Sequence, residues 1–162
     1  MHLVSLTYYI INMTSATATS FGFLVVDLAR LFRRAFEELV TAEGLGVTAG
    51  EARTLLYASR APGVRQNVLA ETMRIEPMTL SNFLDRLEER GLISRTPDTE
   101  DRRAKRVSVS EAAGPLLKRI EALAGAVRER ATGGLSPGQV ASLRHALETM
   151  RGNLAATESV SR

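Results

Sequence analysis

Between Pro77 and Arg90, Leu80, Phe83, Leu84 and Leu87 recur at i, i+3, i+4 and i+7. That spacing predicts a helix that buries one narrow stripe and leaves the rest of its surface free. Met78, Thr79, Ser81, Asn82, Asp85 and Arg86 fall off the stripe. Pro77 stands at the first helical turn, where its missing amide costs nothing, and Gly91 ends the helix after Arg90. A shorter helix over roughly Arg65 to Arg74 precedes it, expected to bury Val68, Leu69 and Met73. A charged hairpin follows, with strands at Leu92–Thr96 and Arg103–Val109. Pro97-Asp98-Thr99-Glu100-Asp101 between them is turn material.

The flanking segments are also helical. From Phe21 to about Ala42 the apolar residues Phe21, Leu24, Val25, Leu28, Phe32, Ala35 and Leu39 keep helical spacing, with Thr19 or Ser20 as the cap. Gly44 and Gly46 end that helix. Thr48-Ala49-Gly50-Glu51 matches a capping box, in which Glu51 reaches back to the Thr48 amide. The helix it opens runs to about Arg60 and stops at Ala61-Pro62-Gly63. A long helix is expected from a Ser110 cap, carrying Leu116, Leu117, Ile120, Leu123 and Val127. Gly114-Pro115 should bend or weaken its first turns, and Gly133-Gly134 breaks it. The last helix opens on a second capping box, Ser136-Pro137-Gly138-Gln139. Its residues Val140, Leu143, Leu147, Met150 and Leu154 alternate in steps of three and four, the seam of a helix that packs along another.

The fold class is therefore mainly α with a small β-hairpin wing. Residues 48–109 are expected to form a winged helix-turn-helix lobe, with 20–47 and 110–154 as dimerisation helices and 155–162 as a frayed tail. Residues 1–19 stand apart as an N-terminal extension. Leu3, Val4, Leu6, Tyr8, Tyr9, Ile10 and Ile11 form an apolar run that is too short to span a bilayer and lacks the cationic start of a signal peptide. It reads as a flexible tail, as an arm swapped onto a partner subunit, or as an extension upstream of a start at Met13. With no membrane segment, the chain is expected to be cytoplasmic.

Composition excludes several chemistries. Cysteine is absent, which removes disulfides, thiolate-held metals, a catalytic thiol and thiol redox sensing. The two histidines, His2 and His145, are far apart and carry no motif, so no metal site and no cofactor is expected. His145 lies off the apolar seam of the last helix, which leaves a Ser/His/Asp hydrolase without a base, and the chain is not expected to be an enzyme. A formal charge of +3, carried mostly by arginine, suits a phosphate-bearing partner.

A helix about 10–12 Å across fits a major groove about 12 Å wide. The free face of the Pro77–Arg90 helix offers Met78, Thr79, Ser81, Asn82 and Arg86. Asn can pair bidentately with adenine and Arg with guanine, each for about 1–3 kcal/mol of discrimination. The hairpin adds Arg102-Arg103-Ala104-Lys105-Arg106 at or beside its tip, a cationic run able to reach a minor groove or its flanking phosphates. Each feature alone is common on solvated surfaces. Their succession within one short segment points to double-stranded DNA as the partner.

Here the chain resembles a known family. Leu69-Ala70-Glu71-Thr72-Met73, followed by Met78 through Ile93, is similar to the winged helix-turn-helix of MarR-type transcriptional regulators. Pro97 through Glu111 resembles their wing, with Asp101-x-Arg103 and then Val109-Ser110 matching its Asp-x-Arg, strand and cap. The similarity in helix order extends from about Phe21 to Leu154. It implies a bacterial homodimer that binds a palindromic operator, commonly as a repressor, and releases it when a small, often phenolic, effector binds. It further implies that Arg103 enters the minor groove with Asp101 orienting it, flanked by Arg102 and Lys105, while the Pro77–Arg90 helix reads the major groove. Leu24, Leu28, Val140, Leu143, Leu147 and Met150 would form the dimer interface. Phe32, Tyr57 and Arg60 are the nearest candidates to line an effector pocket, and the lack of tryptophan excludes a pocket built on an indole. The competing reading is a winged helix used for protein contacts, as in the dimerisation domains of some small-molecule methyltransferases; those carry a downstream catalytic domain with a glycine-rich cofactor loop, and no such domain is expected here.

Overall fold

The computed structural model describes residues 20–101 and 103–160, with side chains through Ala156. The extension 1–19 and Arg102 lie outside the described residues. Two compact bodies result, one ending at Val127 and one running from Arg128 onward.

In the first body, α1 (Phe21–Glu43) opens on Ser20, whose hydroxyl accepts the Phe23 amide at 3.3 Å. It closes at Gly44, where φ of 56° demands a left-handed residue. α2 (Ala49–Arg60) carries the full capping box: Thr48 N–H donates to Glu51 at 2.8 Å, and Glu51 N–H donates to Thr48 Oγ1 at 3.2 Å. A two-residue strand β1 (Val64–Arg65) leads into α3 (Gln66–Met73), and α4 (Pro77–Glu89) follows after a tight turn. In that turn Arg74 adopts a left-handed conformation at φ 53° and donates its amide to the Ala70 and Glu71 carbonyls. β2 (Ile93–Pro97) and β3 (Lys105–Val109) form the wing.

The wing is more than the expected hairpin. β1 pairs antiparallel with β3, giving the order β1-β3-β2, with Val64 opposite Val107 and Arg95 also opposite Val107 on the other side. Two further expectations change here. Ser110 does not cap a helix with its side chain; its hydroxyl donates to the Gly91 carbonyl and ties the end of β3 to the start of β2. A 3-10 turn at Glu111–Ala113 then precedes α5 (Gly114–Ala131), so Gly114-Pro115 opens the helix, where proline is tolerated, instead of lying inside it.

The core joins all these elements. Leu55 of α2, Leu69 of α3, Leu80, Leu84 and Leu87 of α4, Val107 of β3 and Ile120 of α5 are fully buried, and Val40 of α1 packs with them. Val68 is exposed, contrary to expectation, because Leu69, Ala70 and Met73 already fill the buried face of α3. Helices α2 and α4 touch closely at one point, where a Cβ built on Gly50 would lie 2.4 Å from the Phe83 ring. The second body holds the end of α5 and α6 (Pro137–Val160). Its capping box is formed as expected: Ser136 N–H donates to Gln139 Oε1 at 2.8 Å, and Gln139 N–H donates to Ser136 Oγ at 3.3 Å. The helix continues to Val160, beyond Ala155 where fraying was expected. Among the described residues no helix is long and apolar enough to cross a membrane.

Candidate nucleic-acid interface

Burial of Leu80, Leu84 and Leu87 fixes which side of α4 faces outward. Met78, Thr79, Asn82 and Arg86 are exposed there, and Ser81 is half-buried. Arg86 is not wholly free, because its guanidinium lies 3.6 Å from the carboxylate of Glu51, which also closes the α2 capping box.

The wing is organised around Asp98, which reads as simple turn material in the sequence. Its side chain is fully buried and takes Arg65 Nε at 2.8 Å, a terminal nitrogen of Arg65 at 3.0 Å and Arg106 Nε at 2.6 Å. It also accepts the backbone amides of Glu100 at 2.9 Å and Asp101 at 3.1 Å. These donors hold the Asp98 carboxyl far below the usual carboxylate range, with the Arg65 hydrogen bond the largest cause. Arg65 in turn bridges to Glu100 at 2.7 Å, and Arg106 donates to the Gly63 carbonyl at 3.0 Å. Arg106 is therefore spent inside the wing rather than offered at its tip. The Asp101 carboxylate accepts the Arg103 backbone amide at 3.0 Å, so what Asp101 orients is the main chain of Arg103.

A third arginine links the wing to α4. Arg95 on β2 has a side chain only 12% exposed and pairs with Asp85 at 2.7 Å and with Glu88. Its own backbone amide donates to Glu88 at 3.0 Å. The Glu88 carboxyl is lowered as a result, chiefly by the Arg95 hydrogen bond.

Between α4 and the wing lies a cleft of about 460 Å³ lined by Gln66, Asn67, Pro77, Ser81, Arg95, Asp101, Arg103, Ala104 and Lys105. Arg103 and Lys105 are exposed and make no ion pair among the described residues. The structure thus brings Ser81, Asp101, Arg103 and Lys105 to one concavity. Gln66 and Asn67 join them, unanticipated, from the first turn of α3; the only signal in the sequence was a polar pair opening that helix. Phe32, 39% exposed on α1, and Tyr57 and Arg60 on α2 line none of it, and Tyr57 packs half-buried against the core. Leu24 and Leu28 are exposed on α1. In the second body Leu143 and Leu147 are exposed, while Val140 and Met150 are half-buried.

Residues 47–105, spanning α2 through the start of β3, match the MarR family. This winged lobe is a MarR-family domain. Members of the MarR family are transcriptional regulators and not enzymes. A MarR-family transcriptional regulator from Rhodococcus sp. RHA1 is similar at 28% identity and TM-score 0.72, over 85% of this chain and 96% of that one. CouR from Rhodococcus jostii RHA1, solved bound to p-coumaroyl-CoA, is similar at 26% identity and TM-score 0.67, over 85% and 95% of the two chains. A crystal structure of MarR shares the fold at TM-score 0.76 and 20% identity, over 90% and 98%.

Proposed function

We propose that the chain is a homodimeric, sequence-specific DNA-binding repressor whose α4 enters the major groove while the wing reaches the adjacent minor groove. The carrying observation is the cleft: Pro77 and Ser81 of α4 stand on one side, and Arg103 and Lys105, which make no ion pair among the described residues, stand on the other. Thr79, Ser81 and Asn82 would meet base edges, with Met78 beside them for apolar contact; Arg86 would join them on leaving Glu51. Arg103 and Arg102 would serve the minor groove, and Lys105 a phosphate.

The exposed Leu24 and Leu28 on α1, and the α6 seam of Val140, Leu143, Leu147 and Met150, support dimerisation through the flanking helices. The p-coumaroyl-CoA bound by CouR supports a small aromatic effector for this chain as well, with Phe32, Tyr57 and Arg60 as candidate contacts.

Selection of binding sites from random duplex DNA at moderate salt tests the reading. The expected outcome is a palindrome with half-sites about one helical turn apart. An Asn82→Ala variant is expected to select a different sequence. A folded dimer that enriches no sequence would overturn the reading in favour of a protein partner.

A further inference from the structure

The two DNA-reading elements are mechanically different. α4 is anchored by three fully buried leucines, whereas the wing is the β2–β3 ribbon, with only the two-residue β1 paired beside it. Such ribbons twist readily and are marginal in water unless braced. Asp98 braces the wing internally and to β1. Only Arg95 ties the length of β2 to the outward-facing side of α4 by charged side chains, since among the described residues no other ion pair joins these two elements.

The pairing is electrostatically costly for a DNA-binding surface. Asp85 is 49% exposed and Glu88 is 38% exposed, and both stand beside a cleft meant for phosphates. One arginine is shared by two carboxylates, and the only further cation acting on Glu88 among the described residues is the unpaired Lys105. Arg95 itself lines the cleft, yet its Nε and a terminal nitrogen are both committed to carboxylates. A cation placed there to hold a phosphate would not be surrounded in this way.

We propose that Arg95 is a positioning residue: its fork between Asp85 and Glu88 sets the spacing of the wing from α4, so that both reach one face of the duplex together. This rests on the DNA-binding reading above and deepens it. Arginine is required because its planar fork can meet two carboxylates at once, which a lysine ammonium on a flexible stem does not reproduce.

Two variants separate a strut from a direct contact. Asp85→Asn with Glu88→Gln removes two negative charges, so electrostatics alone predicts tighter DNA binding. The strut predicts weaker binding by about tenfold, the size of one lost base-edge contact, with the flanking wing preference erased from the selected site and the α4 half-site retained. Arg95→Lys keeps the charge; the strut predicts the same loss, and a phosphate contact predicts near wild-type affinity. A DNA-independent reading uses the cysteine-free background: spin labels at Thr79→Cys and Thr99→Cys report the distance from α4 to the wing tip. In dimers with both labels on one protomer and an unlabelled partner, wild type should give one narrow distribution, and both variants a broadened one. Tighter binding by the double variant, wild-type behaviour of Arg95→Lys, or an unchanged distance distribution would overturn the proposal. If the wild type selects no sequence while the distributions broaden, the strut stands and the DNA reading falls.

Discussion

Arg65 Nε lies 2.8 Å from the Asp98 carboxylate, joining the two-residue strand β1 to the end of β2 through a side chain with no solvent exposure. Asp98→Asn keeps the shape but leaves Arg65 and Arg106 without their shared counter-charge, so the urea midpoint at pH 7 is expected to fall. The pH dependence follows from the lowered carboxyl. A group with a depressed folded pKa stabilises fully above its unfolded value, about 4 for a carboxylate, and loses that contribution as pH drops toward the folded value. The gap between wild type and Asp98→Asn should therefore be constant from pH 7 to 5 and narrow below about pH 4. A gap that held its size down to pH 3 would reject this account.

Arg103 projects from the wing while only its backbone is fixed by Asp101. Arg103→Ala should leave thermal unfolding unchanged and weaken DNA binding, with the log–log salt slope reduced by about one. Titrations at several salt concentrations decide it, and an unchanged slope would remove Arg103 from the interface.

Leu143 and Leu147 are 47% and 46% exposed on one seam of α6. Replacing both with Asp places charge where a dimer would bury apolar surface. Sedimentation should then report monomers, and operator binding should vanish with them. A surviving dimer would locate the interface elsewhere.

The Gly50–Phe83 contact gives a prediction that changes sign. In an ordinary helix interior, Gly→Ala stabilises by about 1 kcal/mol. Here the new methyl meets the ring at 2.4 Å, and overpacking of this kind costs about 1–3 kcal/mol. Gly50→Ala should lower the Tm in the wild-type background and raise it in a Phe83→Leu background.

The elements legible in the sequence are those decided locally. Both capping boxes, Thr48/Glu51 and Ser136/Gln139, are complete within four residues, and the α4 stripe declares its buried face through its own spacing. What was not legible depended on distant partners. Val64–Arg65 is too short to show alternation and becomes a strand only by meeting Val107 and Arg106. Asp98 reads as turn chemistry until Arg65, far back in the chain, arrives beside it. Arg106 looks like one more cation in a basic run, and only its fold neighbours turn it inward. Val68 has the right character for burial, but α3 has only one inward side. Of the candidate interface, the outward-facing residues of α4 could be listed from spacing, whereas Gln66, Asn67 and Arg95 enter only through the sheet that brings β1 and β2 beside them.

On α4, the side chains that seat the helix and those that face outward are separate sets, and Phe83 over Gly50 fixes its depth. The outward set could therefore be rewritten like the type in a printer's frame, with the frame itself left alone. Chimeras that exchange Thr79, Ser81 and Asn82 while keeping Leu80, Phe83, Leu84 and Leu87 would retarget the scaffold without refolding it, whereas transplanting the whole helix onto a relative with a larger residue opposite the ring would not.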